Sequence, residues 1–259
     1  MLKLSRIENT RLKNIIIRGY TNLFDINMLE AVKEDKYSYK SLNDFFTREI
    51  KPECRPFDTD PDSWLCPVDG SVSQAMPIND GRIFQAKDHD YSLLELLGND
   101  ESIAEHFNNG HFATLYLSPR DYHRIHMPTS GLLKRMLYIP GRLFSVAEHT
   151  VKAIPNIFAR NERCVCFFET DNGPMALILV GAINVSAIET VWHGIVKADR
   201  GNINQIDYVN SEINLKRGEE MGRFNLGSTV IVLTTNTFKF DSKINAGESV
   251  KLGQRLGKA

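Results

Sequence analysis

The residues equipped for chemistry fall in three short stretches of a 259-residue chain. Near the carboxyl end, Phe224-Asn225-Leu226-Gly227-Ser228-Thr229 leads into the apolar run Val230-Ile231-Val232-Leu233. Gly227 gives the open approach and backbone freedom that a nucleophile needs to reach the preceding carbonyl. A strand beginning at Ser228 would hold the hydroxyl in a fixed place. A serine hydroxyl attacks only when a base takes its proton. Leu117-Ser118-Pro119-Arg120-Asp121-Tyr122-His123-Arg124-Ile125-His126-Met127-Pro128 offers two imidazoles bracketed by prolines. Their near-neutral pKa suits His126 as the base and His123 as the donor of a proton to a carbanion. In Leu65-Cys66-Pro67-Val68-Asp69-Gly70, the carboxylate of Asp69 is placed to accept an imidazole N–H and fix its tautomer. Each stretch also has a plain reading: a Gly-Ser turn, a turn-rich surface segment, an Asp-Gly turn. Nothing has HExxH spacing, so no metal is expected.

These residues need elements to position them. Residues 1–50 read as helical, with Ser41 capping a short helix through Asp44, Phe45 and Phe46. Pro52, Pro56 and Pro61 make 51–65 an extended connector. From 66 onward short strands and glycine turns take over. Strands are expected at 81–86, 112–117, 131–138, 163–168, 175–183, 185–196 and 229–235, and helices at 91–97 and 101–107. Asp69-Gly70, Asp80-Gly81, Asn109-Gly110 and Asn172-Gly173 supply turns. Gly218-Glu219 and Gly247-Glu248 each sit between short apolar segments, as paired hairpins of a small barrel-like sheet would. The pattern predicts an α+β protein, predominantly β, with barrel-like or sandwich sheets and amino-terminal helices. The expected organisation is a helical, membrane-associating region over 1–50, the connector 51–65 and a catalytic β-rich domain over 66–259.

Composition narrows the function. Hydrophobic residues make up 42% of the chain, enough for a sizeable core, and the net charge of -1 argues against a nucleic-acid partner. Cys164 and Cys166 should share one face of a strand, and the four cysteines read as free thiols of a reducing compartment. Residues 1–20 interleave Lys3, Arg6, Arg11, Lys13 and Arg18 with Leu2, Leu4, Ile7, Leu12, Ile15, Ile16 and Ile17. Such a helix either lies in an anionic headgroup layer or packs as an ordinary amphipathic helix on the body.

Six segments, in order, resemble the bacterial phosphatidylserine decarboxylase proenzyme family over almost the entire chain. They are Asn43-Asp44-Phe45-Phe46-Thr47-Arg48 with Arg55-Pro56; Pro67-Val68-Asp69-Gly70; Phe84-Gln85-Ala86-Lys87 with Tyr91-Ser92-Leu93; Tyr116 through Pro128; Pro155 through Arg163; and Phe224 through Thr229. The resemblance implies that Asp69, His126 and Ser228 form a self-processing triad and that His123 stands beside the substrate. It implies cleavage between Gly227 and Ser228 into a 1–227 β subunit and a 228–259 α subunit, with Ser228 converted to a covalent pyruvoyl cofactor. It further implies decarboxylation of phosphatidylserine to phosphatidylethanolamine in an anionic membrane, by a homodimer of processed protomers held peripherally on the cytoplasmic side of the cell membrane. Residue types alone also admit a serine hydrolase using the same triad, although Gly227-Ser228 lacks the G-x-S-x-G elbow. They admit a lipoyl-like binding module as well.

Overall fold

Strands buried on both faces read as unbroken apolar runs, and this chain has two that become neighbours, 175–180 and 230–233. The computed structural model describes residues 2–86, 89–183, 187–196, 201–208, 212–225 and 228–259, without the side chains of Leu2, Lys3 and Ser228. Gly227 and the opening of the strand expected at 185–196 lie outside the described residues. Strand outweighs helix throughout, the helices gather at the amino end, and the multi-strand sheets pack in a sandwich-like way.

The main sheet runs in the order Asn204–Asp207, Gly131–Ile139, Arg163–Thr170, Gly173–Gly181, Ser228–Thr234, His111–Leu117, Gly70–Pro77, Ser249–Val250. Asn214–Leu215 also pairs with Gly131–Ile139, and every pairing is antiparallel. Ser228–Thr234 sits inside this sheet, with Ser228 opposite Leu117 on one side and Gly181 on the other. Its Val230, Ile231, Val232 and Leu233 are fully buried, as are Ala176 through Val180 beside them. A second sheet orders Gly194–Val196, Ile188–Thr190, Glu220–Phe224 and Arg124–His126. It carries both His126 and the strand that runs on toward Ser228. A third joins Ser63–Leu65, Arg255–Lys258 and Lys239–Phe240.

The amino-terminal region is less helical than expected. Helices cover Leu2–Ser5, Thr10–Leu23 and Leu42–Phe46, with a 3-10 turn at Met28–Glu30. Ser41 does cap the third, accepting from the Asp44 amide at 3.2 Å. Thr10–Leu23 buries Ile17 against Tyr39 and Phe45, while Leu12, Ile15 and Leu23 face outward. The connector is not simply extended either. Pro52 opens a 3-10 turn, where its missing N–H costs nothing, and Ser63–Leu65 pairs with the carboxyl-terminal strand. The 185–196 segment divides into the hairpin strands Ile188–Thr190 and Gly194–Val196, turning at Gly194. The helices expected at 91–97 and 101–107 shorten to Leu93–Leu96 and Glu101–Ala104, and Tyr91 belongs to a strand.

The expected turns divide by mechanism. Asp80 and Gly81 both have positive φ, as does Gly173, so those turns form. Gly70 and Gly110 do not, and close approach is what they provide. A Cβ on Gly70 would lie 2.2 Å from the Tyr116 carbonyl oxygen. Gly218 and Gly247 take positive φ, yet the flanking segments pair with other strands rather than with each other, so the expected hairpins do not form. Cys164 and Cys166 share a buried strand face with sulfurs 3.8 Å apart.

Replacing Gly70 by Ala should destabilise the protein by about 3 kcal/mol, because backbone must move to admit the methyl group. Gly19, exposed in a helix with open space around it, should gain up to about 1 kcal/mol from the same change. Denaturant midpoints of the two variants check this, and equal shifts would contradict it.

Candidate active site

The loop that leaves strand His111–Leu117 is built to present His123. The Asp121 carboxylate accepts from both the amide and the hydroxyl of Ser118, each at 2.7 Å, which curls the chain back. The Asp121 carbonyl is thereby placed to accept from Nδ1 of His123 at 2.9 Å. A carbonyl only accepts, so Nδ1 carries the hydrogen and Nε2 the lone pair. Phe46 lies against the ring with centroids 3.9 Å apart. Nε2 is buried and has no partner among the described residues. Burial pushes the His123 pKa down to about 3, against a smaller upward pull from the Asp121 carbonyl. The ring is therefore neutral at pH 7.

His126 closes a short strand, and its amide donates to the Pro67 carbonyl at 2.9 Å. Its Nδ1 donates to the Gly218 carbonyl at 2.8 Å, and its Nε2 accepts from the Tyr122 hydroxyl at 3.1 Å. Burial lowers its pKa, the Gly218 carbonyl opposing, so this ring too rests as a neutral base.

Asp69 is buried nearby but does not hold the His126 N–H. That expectation is corrected: Gly218 orients the imidazole, and the Asp69 carboxylate is engaged elsewhere. It accepts from Arg55 Nε at 2.9 and 3.1 Å and from Arg55 Nη2 at 2.5 Å. It also accepts from the Leu252 amide at 2.9 Å and from Lys251 Nζ at 3.3 Å. Burial alone would raise its pKa, but the Arg55 hydrogen bonds and charge, the Leu252 amide and Lys251 outweigh it, leaving the carboxyl below its usual range. Arg55 also reaches Glu30 at 2.6 Å.

On the approach to the junction, the Phe224 amide donates to the His123 carbonyl at 3.1 Å. Asn225 donates its amide to the Ala187 carbonyl at 3.0 Å and accepts from Asn43 Nδ2 at 2.8 Å. The chain is thus anchored just before 226 and again at Ser228, whose backbone pairs with Leu117 and Gly181. A backbone hydrogen bond thus joins His123 to Phe224 on the chain that leads to Ser228, His126 pairs with Glu220 on the same strand as Phe224, and Asp69 immediately precedes the main-sheet strand Gly70–Pro77. Gly227 and the Ser228 hydroxyl lie outside the described residues. Arg55, Tyr122, Phe46, Gly218 and Asn225 carry no role on sequence reasoning alone. Most stand within the quoted motifs, which is the available signal.

A model of the family described as phosphatidylserine decarboxylase matches residues 42–258. The chain belongs to that family. It is 54% identical over 232 residues to the phosphatidylserine decarboxylase proenzyme of Alkalilimnicola ehrlichii, spanning 88% of this chain and 80% of that one. It is 50% identical over 248 residues to the proenzyme of Pseudomonas entomophila, spanning 94% and 86%. Against the proenzyme of Bordetella pertussis it is 52% identical over 225 residues, spanning 86% and 76%. The family uses a pyruvoyl group made from one of its own serines. The residues here fit such a group: Ser228 opens a doubly paired strand opposite Leu117, and the loop that leaves Leu117 carries a buried imidazole nitrogen with no partner among the described residues.

Burial of neutral His123 has a consequence for stability. Its ring stays neutral down to about 3 in the fold but titrates near 6.5 when unfolded, so the unfolded chain holds more protons across that interval. Acid should therefore favour unfolding from about pH 6.5 downward. Replacing His123 by Gln should flatten the fall in urea midpoint between about pH 6 and 4.5, and an unchanged slope would contradict the assignment.

Proposed function

We infer that the chain is a proenzyme that cuts itself between Gly227 and Ser228 and then decarboxylates phosphatidylserine to phosphatidylethanolamine. The observation that supports this most directly is Ser228 at the head of a strand paired on both edges, in a chain matched to the family over residues 42–258. In self-cleavage, His126 takes the Ser228 proton and the freed oxygen attacks the Gly227 carbonyl. The adjacent reacting groups make this intramolecular. The peptide bond becomes an ester; elimination leaves a carboxylate on Gly227 and a dehydroalanine at 228. Water then converts the latter to the pyruvoyl end with loss of ammonia. Asp69 acts at a distance in this reading, its fixed negative charge favouring the imidazolium that forms on His126. The products are the 1–227 and 228–259 subunits.

During turnover the pyruvoyl group supplies an electron sink for the carbon that loses carbon dioxide. His123 manages the proton. Its resting Nε2 has a lone pair and no hydrogen, so it first accepts a proton, from the substrate ammonium, and later returns it to that carbon. A buried imidazolium is unfavourable, which makes it a willing donor. Asp121 holds the ring from Nδ1, and Phe46 packs on its face and excludes water.

No helix among the described residues is long and apolar enough to cross a membrane. Leu12, Ile15 and Leu23 on the exposed face of Thr10–Leu23, flanked by Arg11 and Arg18, support peripheral attachment of the 1–50 region to anionic lipid. Tyr20 of that helix donates to the Pro119 carbonyl at 2.7 Å, which joins the lipid-facing element to the loop that carries His123. The catalytic part comprises 66–259, reached through 51–65. A homodimer of processed protomers completes the reading, on the strength of the family resemblance.

Intact mass of the purified protein should show two chains divided after Gly227, the smaller with a carbonyl-reactive end. Ser228→Ala should leave one uncut, inactive chain; cleavage of that variant would overturn the assignment. His123→Ala should still be cut, while carbon dioxide release from phosphatidylserine liposomes falls by about 100-fold or more. Unchanged turnover would remove His123 from the reaction.

A further inference from the structure

We propose that Tyr122 is a positioning residue for self-cleavage, its hydroxyl capping the basic nitrogen of His126 and setting the pH range over which that ring can take the Ser228 proton. The inference rests on the reading of His126 as the base and assigns a regulator to it. The geometry points one way. Because Nδ1 of His126 is committed to the Gly218 carbonyl, the Tyr122 hydroxyl at 3.1 Å must donate to the Nε2 lone pair, the same lone pair a base uses. The two rings lie with centroids 5.8 Å apart at 32°. Tyr122 is 5% exposed and borders two recesses, one shared with Asp69 and the other with His126, so it stands between them. Burial pushes its phenol well above the usual range, and the hydroxyl therefore remains a donor wherever the protein folds.

A hydrogen bond donated to the neutral imidazole stabilises that form and opposes protonation. The charges around the pair come from several elements. Glu220 and Arg124 flank it on the two adjoining strands, Asp69 lies behind, and Glu49 acts on Tyr122. Lys51 and Arg55 border the recess in front of His126. None of these is a hydrogen-bond partner of Nε2, and Tyr122 alone among the described residues has direct hold of it. For the base to act, this bond must open toward Ser228 or pass the proton along: Ser228 loses hydrogen, His126 gains one, and the Tyr122 oxygen ends with the hydrogen count it began with.

The full 259-residue precursor, made by cell-free synthesis, can be followed from about pH 5 to 9 as it separates into 1–227 and 228–259. In Tyr122→Phe the acid limb of the cleavage rate should move up by about 0.5–1 pH unit, because His126 then takes a solvent proton more readily. A purely structural role would scale the rate equally at every pH, and that outcome would overturn the proposal. Should Tyr122→Phe fail to fold, 3-fluorotyrosine at 122 keeps the shape and makes a stronger donor, moving the limb down; an unmoved limb there overturns the proposal too. His126→Gln separates the two layers of the argument. If that precursor still cuts at the native rate, the base assignment falls. If it stops while both Tyr122 changes leave the profile unmoved, only the present inference falls.

Discussion

The backbone of Ser228–Thr234 has a strand on each side, and every other feature of the site is arranged around that double pairing. A buried backbone amide or carbonyl without a partner is costly, so this segment cannot leave the sheet without orphaning groups on His111–Leu117 and Gly173–Gly181 as well. Cutting the chain at its amino end therefore does not release it. Four fully buried aliphatic side chains hold it in the core besides. The downstream chain is tied in twice more, at Ser249–Val250 against Gly70–Pro77 and at Arg255–Lys258 against Ser63–Leu65. The same pairing sets the site's location. Chain leaving Leu117 becomes the His123 loop, and chain leaving Gly181 leads on to Ala187, whose carbonyl holds Asn225. Histidine loop and junction thus converge on one end of the sheet.

Asp69 shows how charge is accommodated in that core. A carboxylate almost wholly out of water needs compensation, and removing one member of a buried pair costs about 3–5 kcal/mol. Arg55 supplies the compensation, with Glu30 as its second anion. Because the Leu252 amide and Lys251 complete the cluster, Asp69 also joins residues on either side of the 227/228 junction.

The two histidines are tuned alike and partnered differently. Both are buried, both give Nδ1 hydrogen to a main-chain carbonyl, and both are neutral at pH 7. What separates them is the fate of Nε2. On His126 it is capped by a phenol; on His123 it is buried, without a partner among the described residues, in a ring packed against Phe46. An uncapped, desolvated lone pair is the costlier of the two to keep, because burial removes its water and the described residues supply no donor in exchange.

Strands built on apolar runs, such as 112–117 and 229–235, are legible in the residue order, because hydrophobic burial needs no knowledge of the partner strand. So is the Ser41 cap, whose bond spans three residues, and so is the family itself, through ordered motifs. Short strands such as Arg124–His126 and Glu220–Phe224 escape such a reading, since three to five residues show no period and gain their stability from neighbours far along the chain. Gly70 reads as a turn because a glycine needed for close approach has the same local signature as one needed for positive φ. That Arg55, rather than His126, holds Asp69, and that Gly218 and Tyr122 hold His126, emerges only once the chain is folded. Those bonds join residues from separate strands and loops, and which donor reaches which acceptor depends on packing distances that no local pattern encodes.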